Sequence, residues 1–583
     1  MQIKLASRLV IPALCVVATA CVDDNYDLSD IDTTTRVTVD NLTVPVNIDP
    51  IVLSDIISID EDSKIQIVNI EGKEFYALTE SGDFSSDPIY IDKVTASAPS
   101  LAPSRRTLQL VAGTLPGAQT LEYQVEAMGN DLSYSSGNID KSIVALNSAQ
   151  VQPMTFRINF EAIGVAGRLS DMTFSDLNIS MPKGLTASTS TGSYDPATGV
   201  WTIGSYSVAG NTAQASLTAT AIDFAANGCK IENHSLHFDS EFRVTDGRLA
   251  LTAQGGTTLP QSIDLQLTYH LDAMTINAFS GVISYELEGM DIDPVDLTDI
   301  PDFLGGEQTD ISLANPQIYL QVNNPVADYD LECRTGITLT AMRTGDANRP
   351  FSPDVNEITI GYAKGVSGPY NFVLAPTDAD LSVPAAFASP EFVRFSTLGD
   401  LLATPATSTV KGLPDRIGIE LDNPGIKQGA VSDFALGRNI SGVTGRYELM
   451  APLSLNAGSV IVYSDTKDGW NDEDVDAITI SELTVTATAS NNAPLGASIT
   501  AYPIDVNGNR ISGVTIVTES ELPANTTDAP IRIVMQGEIR HLDGVTFEAR
   551  VVSDQSGAVL TPSQTITLRD VRAKVSGYYE KEL

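Results

Sequence analysis

The residues that carry most enzyme chemistry are scarce here. Of 583 residues, four are histidine and four are cysteine. No G-x-S-x-G elbow and no H-E-x-x-H pair occurs. His234 and His237 stand three apart, which on a strand puts them on opposite faces and denies them a shared metal. His270 falls on the polar side of its run and His541 beside a turn, so all four histidines read as surface or turn residues. Ser464-Asp465-Thr466-Lys467 fits S-x-x-K but lacks the companion motifs. No catalytic residue is assigned, and the chain is expected not to be an enzyme. Tryptophan is limited to Trp201 and Trp470, and aromatics total 6%. Those two residues and Tyr578-Tyr579 are the only platforms singled out for stacking on a sugar face.

Positive charge is the next shortage. Lys and Arg total 34 against 74 Asp and Glu, a net charge of −40. Such a chain repels phosphate backbones, which excludes nucleic acid as a partner. Long apolar runs are also missing. The single one, Leu9 to Thr19, is too short to span a bilayer as a helix. It follows Lys4 and Arg8 and precedes Ala18-Thr19-Ala20-Cys21, the layout of an export signal.

That layout resembles a bacterial lipobox, with Ala18 where Leu is more usual. The resemblance implies a signal peptide over 1–20 and acyl chains on Cys21. Several chains make attachment effectively permanent, whereas one holds only marginally. The alternative is plain secretion with a free Cys21. Asp23, Asp24, Asp27 and Asp30 follow, similar to the export signal of surface lipoproteins in Bacteroidota. The expected location is therefore the outer membrane, lipid-anchored and facing the exterior. The membrane is the implied partner, together with an unidentified protein or glycan.

What is abundant is strand pattern. Ile263, Leu265, Leu267, Tyr269 and Leu271 alternate with Asp264, Gln266, Thr268 and His270, the period of a half-buried sheet. Similar runs cover 157–162, 236–244, 337–339, 531–533 and 545–551. Asp195-Pro-Ala-Thr-Gly199, Asn507-Gly508 and Asp543-Gly544 separate runs as turns. Ser389-Pro390-Glu391 suggests a helix start, with Phe392, Phe395, Leu398 and Leu402 following at helical spacing. One or two turns are also expected at Leu53 to Ile57 and Leu297 to Leu304. The fold class is all-β: several antiparallel, Ig-like β-sandwiches in series, with few short helices. The divisions expected are an anchor and acidic tether over 21–45, an N-terminal β segment over 46–105, a sandwich over 106–280, a middle β region over 281–450 and a C-terminal sandwich over 451–583.

Two internal echoes stand out. Ile48-Asp-Pro-Ile-Val-Leu-Ser-Asp-Ile56 recurs as Ile292-Asp-Pro-Val-Asp-Leu-Thr-Asp-Ile300. Ile311 to Ile318 recurs as Ile419 to Ile426, each copy carrying Asn-Pro, expected to end a strand. Ile318 to Val326 with Tyr329, Leu331, Ile337 and Leu339 resembles the strand–Asn-Pro–strand signature of water-stress (LEA-type) β-sandwich modules, and Leu483 to Gly513 is similar. The resemblance implies Ig-like sandwiches without catalytic residues.

Two further sites are legible. Asp465, Asp468, Asp472 and Asp474 crowd one segment around Trp470. Ca²⁺ takes about six to eight oxygens, so this segment is either a Ca²⁺ loop or a solvated acidic loop. Cys229 and Cys333 remain once Cys15 leaves with the signal and Cys21 serves as anchor. Export compartments permit them to pair, closing a loop that would stabilise by about 4–5 kcal/mol; the alternative is two separate buried thiols.

Overall fold

The computed structural model describes residues 34–45, 51–52, 59, 63–137, 139–298, 300, 304, 309–361, 369–406, 408, 411–470, 478–518 and 520–582. The alternating runs form strands as their pattern demands. In Ser262–Leu271 the five apolar positions are buried and the polar ones face out. Pairing is antiparallel throughout the described residues except where Tyr370–Ala375 runs parallel to Glu391–Arg394. Helix among the described residues is confined to Leu398–Leu402, to Leu304 at the end of the turn expected from Leu297, and to three single 3₁₀ turns. The molecule is all-β and sandwich-built.

Three layered units follow along the chain. In the first, the long strand Ile143–Ile163 with Thr212–Asp223 and Ser262–Leu271 faces Leu169–Ser180 and Ser235–Ala253. Phe156 meets Phe242 and Phe160 meets Phe174 across the gap, with ring centroids 5.8 and 4.4 Å apart.

The second and third units repeat one topology. In the second, Met274–Glu286, Arg416–Ala435 and Cys333–Met342 form one sheet. Gln317–Asn323, Tyr370–Ala375 and Thr444–Pro452 form the other. In the third, Val460–Lys467, Gly544–Val552 and Gly496–Ile504 face Ile478–Asn491, Thr526–Ile539 and Thr565–Glu582. The order along the chain and the pairing partners correspond strand for strand. The two stretches compared with water-stress modules occupy equivalent positions in this repeat. Each unit also gains a strand from the N-terminal segment at the same place. Lys73–Ser85 joins Thr444–Pro452, and Thr34–Pro45 joins Thr565–Glu582.

Several expectations need correction. The strands Ser104–Gln109, Met274–Glu286 and Thr444–Pro452 run through the divisions expected after 105, 280 and 450. Ile143–Ile163 pairs at one end with Ser262–Leu271 and at the other with Met274–Glu286, so the first two units share a sheet. The helix expected from Ser389 is absent. Ser389 has a φ of +51°, not the extended backbone of an N-cap. Glu391–Arg394 is a strand, and helix begins only at Leu398.

The first echo has a structural counterpart. Ile51–Val52 and Val295–Asp296 are both two-residue strands laid on a long partner. The turn expected at Leu53 to Ile57 lies outside the described residues, as do 299 and 301–303 in the second copy. The second echo does not hold. Asn315-Pro316 precedes a strand, whereas Asn423-Pro424 lies inside Arg416–Ala435, with Asn423 at a φ of +49°. Proline is tolerated there because the pairing with Cys333–Met342 is irregular at that point.

Cys229 and Cys333 are free thiols, so of the two alternatives the disulfide is not formed, and Cys229 is only half-buried. Cys229 follows a 3₁₀ turn beside the strand Lys230–Glu232 of the first unit. Cys333 opens a strand of the second, fully buried, with its Sγ 3.4 Å from Asn324 Oδ1.

Candidate functional site

Alternation along Gln317–Asn323 sends Ile318, Leu320 and Val322 into the core. It sends Gln317, Tyr319, Gln321 and Asn323 to the opposite face of the six-stranded sheet. The same rule puts Thr444, Arg446, Glu448 and Met450 on that face from the next strand, and Asp83 and Ser85 from the one beyond. Register then aligns them. Gln321 lies opposite Arg446 and Arg446 opposite Asp83; Asn323 lies opposite Thr444 and Thr444 opposite Ser85. Two cross-strand rows of three polar side chains result.

This face divides into a covered end and an open end. At the covered end Phe75, Ala77, Tyr319, Val373 and Met450 pack under Leu381, Val383 and Phe387. Amide side chains pin that cover. Gln317 Oε1 accepts from the Tyr319 hydroxyl at 2.6 Å and from Ser382 N at 2.8 Å. Gln321 donates to Ala386 O at 3.0 Å, and Asn371 donates to Ala388 O at 2.9 Å.

The open end is a groove of about 500 Å³, which Gly289 and Asp291 also line. Arg446 sits at the junction. Its Nη2 donates to Ala386 O at 3.2 Å, and its guanidinium lies 5.0 Å from the Phe387 ring centre. Its Nε is buried without a partner. No described residue donates a hydrogen bond to Asp83 or Asp291. Burial pushes the Glu448 carboxyl up, with Arg446 pulling the other way. Gly445 is required between Thr444 and Arg446, since a Cβ there would stand 2.3 Å from the Phe84 ring. The groove thus offers free acceptors, a guanidinium with unused donors, amides and hydroxyls, which together can hold a polar ligand by hydrogen bonds.

The residues singled out from sequence lie elsewhere. Cys21, Asp472 and Asp474 fall outside the described residues. Asp465 is 3.2 Å from Lys467 in an ion pair, and no metal-holding group of three acids, histidines or cysteines occurs among the described residues. Ser464 and Lys467 are three apart on one strand and so face opposite ways. His234 sits at a φ of +57° in the turn before Ser235–Ala253, not on a strand. Trp201 is fully buried, its Nε1 donating to Thr191 O at 2.7 Å, so it is core and not a platform. Trp470 packs against the C-terminal core, and Tyr578 lies 3.3 Å beneath the Arg36 guanidinium. The groove residues went unnoticed because they come from four distant stretches with no shared motif. Their one sequence signal is polar residues at alternate positions in strands whose other positions are apolar.

No family model and no curated protein matches this chain. Among solved structures it is similar to the crystal structure of a protein described as secreted, from Parabacteroides distasonis. That match has 17% identity and a TM-score of 0.34 over 51% of this chain and 89% of the other. It is also similar to a triple jelly roll protein of an archaeal virus turret. There the identity is 11% and the TM-score 0.09, over 84% and 90% of the two chains. At these scores neither likeness bears on function.

Proposed function

We propose that this chain is a non-enzymatic, lipid-anchored protein of the outer membrane's outer face, serving as a structural or interaction component. One observation carries the reading: the segment that follows Cys21 enters the fold as a strand. Thr34–Pro45 is laid along Thr565–Glu582 through ten paired positions. Residues 22–33 separate the acylated cysteine from that strand. At about 3.3–3.6 Å per residue they reach about 45 Å at most, which holds the C-terminal sandwich close to the bilayer. The antiparallel ladder lets an anchor pull on the body through many backbone bonds together. No described helix is long and apolar enough to cross a membrane, so attachment rests on the acyl chains in this reading.

The test is metabolic labelling with an alkyne fatty acid, followed by protease shaving of intact cells. Wild type is expected to carry label and to be cut from the outside, and Cys21→Ala to lose the label and the membrane association. An unlabelled wild-type protein free in the periplasm refutes the reading. A second reading, ligand binding beside an outer-membrane transporter, is favoured by the unspent hydrogen-bonding groups of the groove.

A further inference from the structure

We propose that the groove formed by Asp83, Asp291, Gln321, Asn323, Thr444 and Arg446 binds an uncharged, polyhydroxylated ligand, a neutral oligosaccharide. The proposal rests on the ligand-binding reading and names its ligand class.

The argument is one of complementarity. Two carboxylates that accept from no described residue border Arg446, whose Nη1 donates to no described residue. An anionic ligand would meet Asp83 and Asp291, on a chain whose net charge is −40. A cationic ligand would meet Arg446. A metal ion would need about six to eight converging oxygens, and a guanidinium among them opposes it. A hydroxyl group both donates to a carboxylate and accepts from a guanidinium, so a neutral polyol satisfies both signs together. The amides of Gln321 and Asn323 and the Thr444 hydroxyl extend the same chemistry along the face.

The site is also preorganised. Arg446 is held by Ala386 O and Phe387, and Gln321 is shared between Asn371 and Ala386. Neighbouring strands space the groups about 4.8 Å apart across the sheet, and alternate residues about 6.8 Å along it. The result is a flat lattice suited to an extended chain of rings. The volume of about 500 Å³ falls within the range of about 300–1,000 Å³ typical of small-molecule sites. Among the described residues no exposed aromatic lines this groove, so the recognition argued here is by hydrogen bonds and weak binding is expected.

The test is calorimetry and saturation-transfer NMR on the full mature chain, using mannan- and glucan-derived neutral tetrasaccharides. Trigalacturonate and glucosamine tetramer serve as charged comparators. At least one neutral tetrasaccharide should bind. Asp291→Asn, in a loop, and Arg446→Gln, on a strand, should each weaken it tenfold or more, and Asp291→Asn should leave the melting temperature unchanged. Binding confined to a charged comparator and lost in these variants overturns the ligand assignment while keeping the ligand-binding reading. Binding that ignores both variants overturns the site. Absence of binding by all three classes overturns the assignment and the ligand-binding reading together.

Discussion

Thiol reactivity gives a sharp test of how this protein is held together. Without a disulfide, its two internal cysteines must behave as protected thiols. Burial pushes the Cys229 thiol up to about 11 and the Cys333 thiol up to about 12. Only the thiolate reacts with alkylating reagents. At pH 8 an ordinary cysteine, with a pKa of about 8.5, is about one-quarter thiolate. Cys229 would be about one part in a thousand and Cys333 about one in ten thousand. Alkylation of the folded chain should therefore be about 10² and 10³ times slower than that of a free thiol, before steric shielding adds to it. The assay is maleimide labelling of mature protein carrying Cys21→Ser, read by intact mass. The folded protein should take up almost no label within minutes, with Cys229 reacting first. The denatured, unreduced protein should take up two labels at once. Labels that appear only after a reductant is added would mean that the cysteines pair, and would refute the reasoning.

Three other outcomes follow from buried groups. Trp201→Ala should lower stability by about 3–5 kcal/mol in chemical denaturation, as loss of a fully buried Trp does, without changing ligand binding at the distant groove. A mutant that lost binding but kept its stability would return Trp201 to the list of platforms. Arg343 is 6% exposed and donates to Ala403 O at 2.9 Å and Gly412 O at 3.0 Å, capping the end of the helix Leu398–Leu402. Arg343→Met forfeits two charge-assisted bonds worth about 1.5–3 kcal/mol each but also removes a buried charge, so a net loss of about 1–3 kcal/mol is expected by urea unfolding. Stability should also fall between about pH 9 and 12. Burial raises Cys229, Cys333 and Tyr269, the last to about 12, and raises Tyr134 and Tyr319 as well. Across that window the unfolded chain releases these protons, the thiols first and the phenols from about pH 10, before the folded chain does, so raising the pH favours unfolding. A urea midpoint that rises from pH 8.5 to 10.5 would contradict this.

Much of the strand content could be read directly. Ser262–Leu271 is amphipathic with period two, and it forms a strand with those five apolar residues inside. The stretches at 318–339 and 483–513 looked alike, and they occupy matching positions in the repeated sandwich. Local pattern failed where a neighbour decided the outcome. Phe392, Phe395, Leu398 and Leu402 have helical spacing, yet Glu391–Arg394 pairs with Phe372–Ala375 and becomes a strand. Trp201 looked like an exposed candidate because aromatic residues suit both surfaces and cores. Pairing along Leu169–Ser180 settles it as core.

Side-chain chemistry thus determined by itself that this chain is built of half-buried strands, acidic, poor in catalytic residue types and headed by an export-like segment. Tertiary structure alone decided which strands meet. Backbone hydrogen bonds are the same for every residue, so a strand's partner and register are chosen by packing across the layers. That choice placed Thr34–Pro45 on Thr565–Glu582 and lined up Asp83, Arg446 and Gln321. The groove exists because three distant strands share that register and a fourth stretch, with Asp291, borders them.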